Sequence, residues 1–229
     1  MTIVSETIAW LTDPAHYVGP DGIPIRLLQH VFLSGVAFLV AALIALPVGL
    51  AVGHSGRGAG LAVNLANVGR AIPTLAVIGI MVPITQALDP QLGFTIYPTL
   101  IGLVVLALPP ILVNTHAGIG GVDRDLVEAA RGMGMREGQI LRSVEIPLAL
   151  PVIMAGLRVA TVSTVALTTI GSIVSYGGLG NLLADGVQTN FKAQILTASV
   201  LCVLLAFLLD AGLLGVQTVL TPWARRGRR

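Results

Sequence analysis

The chain has 229 residues, of which 55% are hydrophobic and only 10% charged, and its mean hydropathy is +0.89. That usage lies far outside the range of a soluble globular domain and identifies an integral membrane protein. Thirteen basic and eleven acidic residues leave a net charge of +2, and a single cysteine, Cys202, excludes a disulfide framework.

The first apolar run is flanked by Glu6 and Asp13 and preceded by no basic residue, which argues against a cleavable signal peptide. Thr2 to Leu11 reads instead as a short surface helix within an external segment, residues 1–27. Five apolar stretches come next, at Leu28 to Val52, Ala71 to Leu88, Ile96 to His116, Leu148 to Ser175 and Ile195 to Val219. Each can cross a hydrocarbon layer of ~30 Å, which takes about 20 residues of helix; the second is the shortest. Residues 28–219 therefore form an all-α, polytopic membrane domain, and 220–229 a basic tail. Pro47, Pro73, Pro83, Pro109 and Pro110 lie within or at the edges of the first three stretches, where each removes a backbone donor and bends the helix.

Between the third and fourth stretches, residues 117–147 are polar and rich in arginine. Asp123 and Asp125 suit the positive end of a short helix, and Gly132 and Gly134 suit its close, where glycine accepts left-handed backbone. Leu126, Val127, Ala130 and Met133 recur at helical spacing, giving an apolar stripe opposite a charged face. Such a helix can plug into a groove on a partner protein.

In the fourth stretch, Thr161, Thr164, Thr168, Ser172 and Ser175 are spaced by three, four, four and three residues, which stacks five hydroxyls on one face. The stripe has two readings. It wets a translocation path, or its hydroxyls bond backbone carbonyls and cement helix packing. Ala155, Gly156, Ala160 and Gly171 in the same stretch permit close helix approach. Arg158 and Asp210 are ionisable residues inside spans, and each needs a partner there. They pair with one another, or Arg158 snorkels to the inner interface. Beyond this stretch, Tyr176 to Gly180 reads as an external turn and Asn181 to Asn190 as a surface helix and loop, either a docking element for a delivery protein or a simple re-entry turn.

With five spans and the arginine-rich loop inside the cell, Arg57, Arg70, Arg124, Arg131, Arg136, Arg142, Arg225, Arg226, Arg228 and Arg229 all face the cytoplasm. Glu6, Asp13, Asp21, Asp89 and Asp185 then lie outside, with Arg26 and Lys192. This asymmetry obeys the positive-inside rule and gives an external N-terminus and a cytoplasmic C-terminus. The tail reads as an anchor on the anionic inner leaflet in preference to a nucleic-acid contact. Lys192 is the sole lysine and comes directly after Phe191, so the chain has no G-K-[ST] phosphate loop and ATP hydrolysis is left to another subunit. His16, His30, His54 and His116 are scattered, and neither a metal site, a catalytic nucleophile nor a cofactor is expected.

Glu128, Ala129 and Ala130 are succeeded by three residues, Gly134, nine residues, then Val144, Ile146 and Pro147. This resembles the cytoplasmic EAA loop of bacterial binding-protein-dependent ABC importers, E-A-A, three residues, G, nine residues, I-x-L-P, with Val144 and Ile146 as conservative departures. Together with ANVGRAIPTLAVIGIMVP (Ala66 to Pro83), ALPPILVNTHAGI (Ala107 to Ile119) and VEIPLALPVIMAGLRVAT (Val144 to Thr161), the chain is similar from about residue 28 to 218 to the permease subunit of the osmoprotectant importers. The resemblance implies a type I importer fold in the bacterial inner membrane. It also implies two permease subunits on two cytoplasmic ATPases, an external substrate-binding protein, and a quaternary ammonium substrate such as glycine betaine, choline or carnitine. Glu128, Ala129, Ala130, Gly132 and Gly134 would then form the ATPase-coupling element. Ten aromatic residues, dispersed along the chain, do not suffice for a complete cation cage, which falls to the binding protein. A permease for methionine or another amino acid is the rival within the class; a membrane scaffold or ATP-independent channel is the rival outside it.

Overall fold

A computed structural model describes residues 2–57, 60, 64, 72–91, 95–172 and 177–224. Ser175, Arg70, the start of the second expected span at Ala71, Tyr176 and the arginines of the tail lie outside the described residues. The described chain is helical, without strands: α1 (Ile3–Thr12), a 3-10 turn (Pro14–Tyr17), α2 (Ile23–Ser55), α3 (Thr74–Leu88), α4 (Ile96–Gly120), α5 (Arg124–Gly132), α6 (Glu137–Ser172), α7 (Leu179–Gln188) and α8 (Lys192–Leu220).

Among these, α2, α4, α6 and α8 are long and apolar enough to span a membrane. The second expected span is the exception. Pro73 occupies the N-cap of α3 in extended backbone, and the helix beyond it has 15 residues, about 22 Å at 1.5 Å per residue and short of the hydrocarbon thickness. The long helices run past their apolar stretches, because polar residues such as Arg26, Glu137 and Gln139 continue a helix as readily as leucine does. Pro47, Pro83, Pro109 and Pro110 all lie inside continuous helices.

The core is built on small residues. On α2, Ala37, Ala41, Ala45, Gly49 and Gly53 recur every four residues, and the first four are buried. This row lets α4 approach closely: a Cβ on Gly49 would stand 2.7 Å from that of Thr115, and one on Gly53 2.7 Å from that of Ile119. The spacing is the small-xxx-small pattern by which membrane helices pack without a hydrophobic driving force between them. Ala107, Ile111 and Leu112 of α4 and Ala160 of α6 complete this cluster, and a second one joins Ile119 of α4 to Ala149 and Ile153 of α6.

The bundle has two distinct ends. At one, α1 and α7 pack where α2 and α8 begin, with Trp10 and Leu11 against Ile23, Leu182 and Ala198. At the other, α5 and the start of α6 gather beneath the ends of α2 and α4. α8 leaves much of its surface bare, including Val203, Phe207 and Leu208 at about two-thirds exposure each (68%, 65% and 65%).

Candidate functional site

The loop end is the most fully constructed part of the molecule. Asp123 caps α5 by accepting the backbone N–H of Asp125 at 3.0 Å. The other end closes as a Schellman motif: Met135 N–H donates to the Ala130 carbonyl at 3.2 Å and Gly134 N–H to the Arg131 carbonyl at 2.9 Å. Gly134 has φ +82°, the left-handed conformation the motif demands, whereas Gly132 is the last helical residue. The apolar residues of α5 divide between two faces. Val127 and Ala130 are buried with Ile140, against Val122, Met135 and Val144. Leu126 and Met133 stay 49% and 77% exposed, and with Ala129, Val144, Leu148 and Trp223 they border a groove of about 420 Å³. Glu128 and Ala129 are also exposed. α5 thus presents one face outward while the other is fixed to α6.

Charged groups fasten this element further. Arg131 donates to both oxygens of Glu137, at 2.7 and 3.0 Å. The guanidinium holds the Glu137 carboxyl below the usual carboxylate range and is itself raised by the bond. His54, one residue from the end of α2, lies between two carboxylates, with Nδ1 2.5 Å from Glu145 and Nε2 3.3 Å from Glu137. Glu145 belongs to a π-helical turn, Leu141–Glu145, within α6, and only 7% of its side chain is exposed. The extra residue of a π-turn rotates the helix on its N-terminal side by about 100° relative to the helix on its C-terminal side. Among the described residues, no three His, Cys, Asp or Glu side chains form a metal-ligand group.

Sequence reasoning missed His54, Glu137, Glu145 and Trp223. The available signal was Glu145, an acid in the otherwise apolar run Val144 to Leu150, where an ionised group needs a partner.

Within the spans, Arg158 of α6 and Asp210 of α8 meet in a two-point bond, Nε to Oδ1 at 2.8 Å and Nη2 to Oδ2 at 2.7 Å. The two side chains are 27% and 30% exposed at the surface of the chain. The described part of the hydroxyl stripe is buried. Thr161, Thr164, Thr168 and Ser172 are 8%, 1%, 0% and 1% exposed, and each donates to the carbonyl four residues back, those of Leu157, Ala160, Thr164 and Thr168. Packed against the other helices of the bundle, these four hydroxyls are buried within the chain. The exposed face of α6 carries Val152, Ala155, Val159, Val162 and Ala166.

A helical bundle of small-residue crossings with a capped amphipathic helix between two spans is matched by a family model over residues 35–226, described as the inner membrane component of binding-protein-dependent transport systems. The chain belongs to that family. As a permease of this kind it is a multi-pass inner-membrane protein, and the family works with ATPases and a substrate-binding protein. Membership sets aside the scaffold and the ATP-independent channel. The permease is 31% identical over 201 residues to the glycine betaine/carnitine/choline transport system permease protein OpuCB of Bacillus subtilis, covering 88% of this chain and 89% of the relative. It is 33% identical over 217 residues to the osmoprotectant import permease protein OsmW of Salmonella typhimurium, covering 95% and 98%. Its fold is similar to a chain of the inward-facing MetNI methionine ABC transporter, with a TM-score of 0.75 at 25% identity over 85% of this chain and 94% of that one.

Proposed function

We propose that this permease forms the membrane path of an ATP-driven importer for quaternary ammonium compatible solutes of the glycine betaine, carnitine and choline class. The observation that carries the reading is identity above 30%, over nearly the whole length of both chains, with relatives named for those solutes. Amino-acid import, methionine included, is the second reading, favoured by the shared fold of the methionine transporter chain.

In this account ATP is hydrolysed by separate cytoplasmic subunits, since the chain has no phosphate loop. Two permease subunits, copies or relatives, enclose the route. The arginines favour a cytoplasmic α5 and C-terminus and an external N-terminus, with α3 as a short crossing that returns the chain between α2 and α4. Residues 126–134 dock on the ATPase by their exposed face, and the Schellman turn and Glu137 carry that motion into α6. For the route itself we favour the groove of about 330 Å³ between α3, α4 and α6, where Thr74 and Ser163 supply hydroxyls among Pro109, Pro110 and Val159. A permanent cation cannot shed its water into pure hydrocarbon, so polar groups on the wall are required.

The test is uptake by proteoliposomes holding the permease, its ATPase and its binding protein. Labelled glycine betaine, carnitine and choline are compared with methionine. ATP-dependent uptake of at least one quaternary compound and none of methionine is expected; methionine uptake alone would replace the reading with its rival.

A further inference from the structure

We propose that the groove between α3, α4 and α6 is a solute station with two poles, the Leu106 carbonyl for a quaternary ammonium head and the Ser163 hydroxyl for a carboxylate. The proposal rests on the reading of this groove as the membrane route. It adds the class of solute that the route accepts best, a zwitterion bearing both groups.

The acceptor arises from covalent structure. Pro109 and Pro110 have no N–H, so the carbonyls of Val105 and Leu106, four residues back, receive no helical hydrogen bond from them. Leu106, Pro109 and Pro110 all line the groove. Its volume of about 330 Å³ falls within the range of small-molecule sites, roughly 300–1,000 Å³. The Pro110 carbonyl is not available as a second acceptor, since Asn114 Nδ2 donates to it at 2.7 Å and Gly156 packs on it. Leu106 lies about 15 Å along α4, near the middle of its 25 residues. An acceptor left without a donor at that depth favours a cation beside it.

The donor is equally particular. Thr161, Thr164, Thr168, Thr169 and Ser172 of α6 each donate to the carbonyl four residues back. Ser163, half-buried, is the one described hydroxyl between Leu157 and Ser172 without such a bond, and it faces the groove together with Thr74. Its O–H suits a carboxylate, because a hydrogen bond to an ionised acceptor is stronger than one between neutral groups. The poles are not interchangeable: a trimethylammonium head has no use for a hydroxyl proton, nor a carboxylate for a carbonyl. Arg158 and Asp210 border an adjoining groove of about 370 Å³, shared at Val159 and Ser163. Each is already bonded to the other at two atoms, so neither serves as a pole.

The test uses proteoliposomes holding the permease, its ATPase and its binding protein, with solute and binding protein saturating so that the rate reports the membrane step. Labelled glycine betaine, carnitine and choline are compared in wild type, Ser163→Ala, Ser163→Thr and Pro110→Ala. Ser163→Ala lowers uptake of the two carboxylate-bearing solutes on the order of tenfold, the effect of one hydrogen bond to a charged group, and of choline by less than about twofold. Ser163→Thr keeps a hydroxyl and restores most of that loss. Pro110→Ala, which returns an N–H to the Leu106 carbonyl, slows all three solutes several-fold. Betaine and carnitine uptake within about twofold of wild type in Ser163→Ala, or equal losses in Ser163→Ala and Ser163→Thr, overturns the proposal. So do wild-type rates in Pro110→Ala. Should Pro110→Ala fail to insert, the two Ser163 variants decide. A wild type that carries choline but neither carboxylate-bearing solute also overturns the proposal, while leaving the quaternary ammonium reading standing. Uptake of methionine alone removes that reading, and the proposal with it.

Discussion

Two ion-pair sites, one inside the membrane bundle and one beneath it, use charge in opposite ways. Arg158 and Asp210 form a closed pair between two helices, each using two atoms on the other and leaving no third charged partner among the described residues. At the loop end, Arg131, Glu137, His54 and Glu145 form an open chain of ion-pair contacts through α5, α6 and α2, in which Glu137 is shared. A closed pair answers a solvation requirement set by hydrocarbon and fixes one geometry. An open chain links elements that must move together and lets a change at one member be felt at the next. The contrast is that of a rivet with a linkage, and under the proposed coupling role of α5 the first site serves stability and the second transmission.

The sharpest way to break this contrast is at the rivet. Arg158→Leu leaves Asp210 charged and unpartnered at membrane depth, and Asp210→Leu does the same to Arg158, each costing on the order of 3 kcal/mol. The double substitution removes both charges and should recover more than half of either loss. Thermal unfolding in detergent and the amount inserted would give the coupling energy; strictly additive losses would mean that the bond contributes nothing.

At the linkage the expected effect is smaller in stability and larger in function. Gly134→Val forces a β-branched residue to φ +82°, a strain of about 1–2 kcal/mol. That strain opens the Schellman turn while the bundle above stays intact. Insertion should match wild type and ATP hydrolysis should continue, but solute imported per ATP should fall several-fold. Equal uptake in the two proteins would remove the turn from the transmission path.

The smallest effect concerns the faces of α6. Single cysteines in a Cys202→Ala background, at Val159 and Val162 on the exposed face and at Thr164 and Thr168 on the buried one, are to be treated with a small thiol reagent. In the resting detergent-solubilised permease, the first pair should label and the second should stay protected. Labelling of Thr164→Cys and Thr168→Cys that changes with nucleotide would restore the hydroxyl stripe to the path.

How much could be read from the sequence depends on the range of the interactions involved. Both ends of α5 were legible, because Asp123 and Gly134 act on backbone groups within a few residues. The apolar centres of α2, α4, α6 and α8 were legible, because hydropathy is a property of the segment itself. The surface helices at Ile3–Thr12 and Leu179–Gln188 fell close to where their composition suggested. Thr161, Thr164, Thr168 and Ser172 were correctly grouped on one face, but periodicity says which residues share a face and nothing about what covers it. The four-residue ladder on α2 went unread for a related reason: Gly49 and Gly53 gain meaning only from the proximity of Thr115 and Ile119. His54 and Glu145 lie 91 residues apart, and no local rule pairs them.

The central claim is that α5 turns one face to the ATPase while the other is locked to α6. It is tested most directly by placing a photo-crosslinking amino acid at single positions of the assembled, functional complex. Leu126, Ala129 and Met133 lie on the outward face, and Val127 and Ala130 on the inward one. The account predicts crosslinks to the ATPase from the three outward positions and none from the two inward ones. Crosslinks of equal yield from both sets, or from neither, would contradict it.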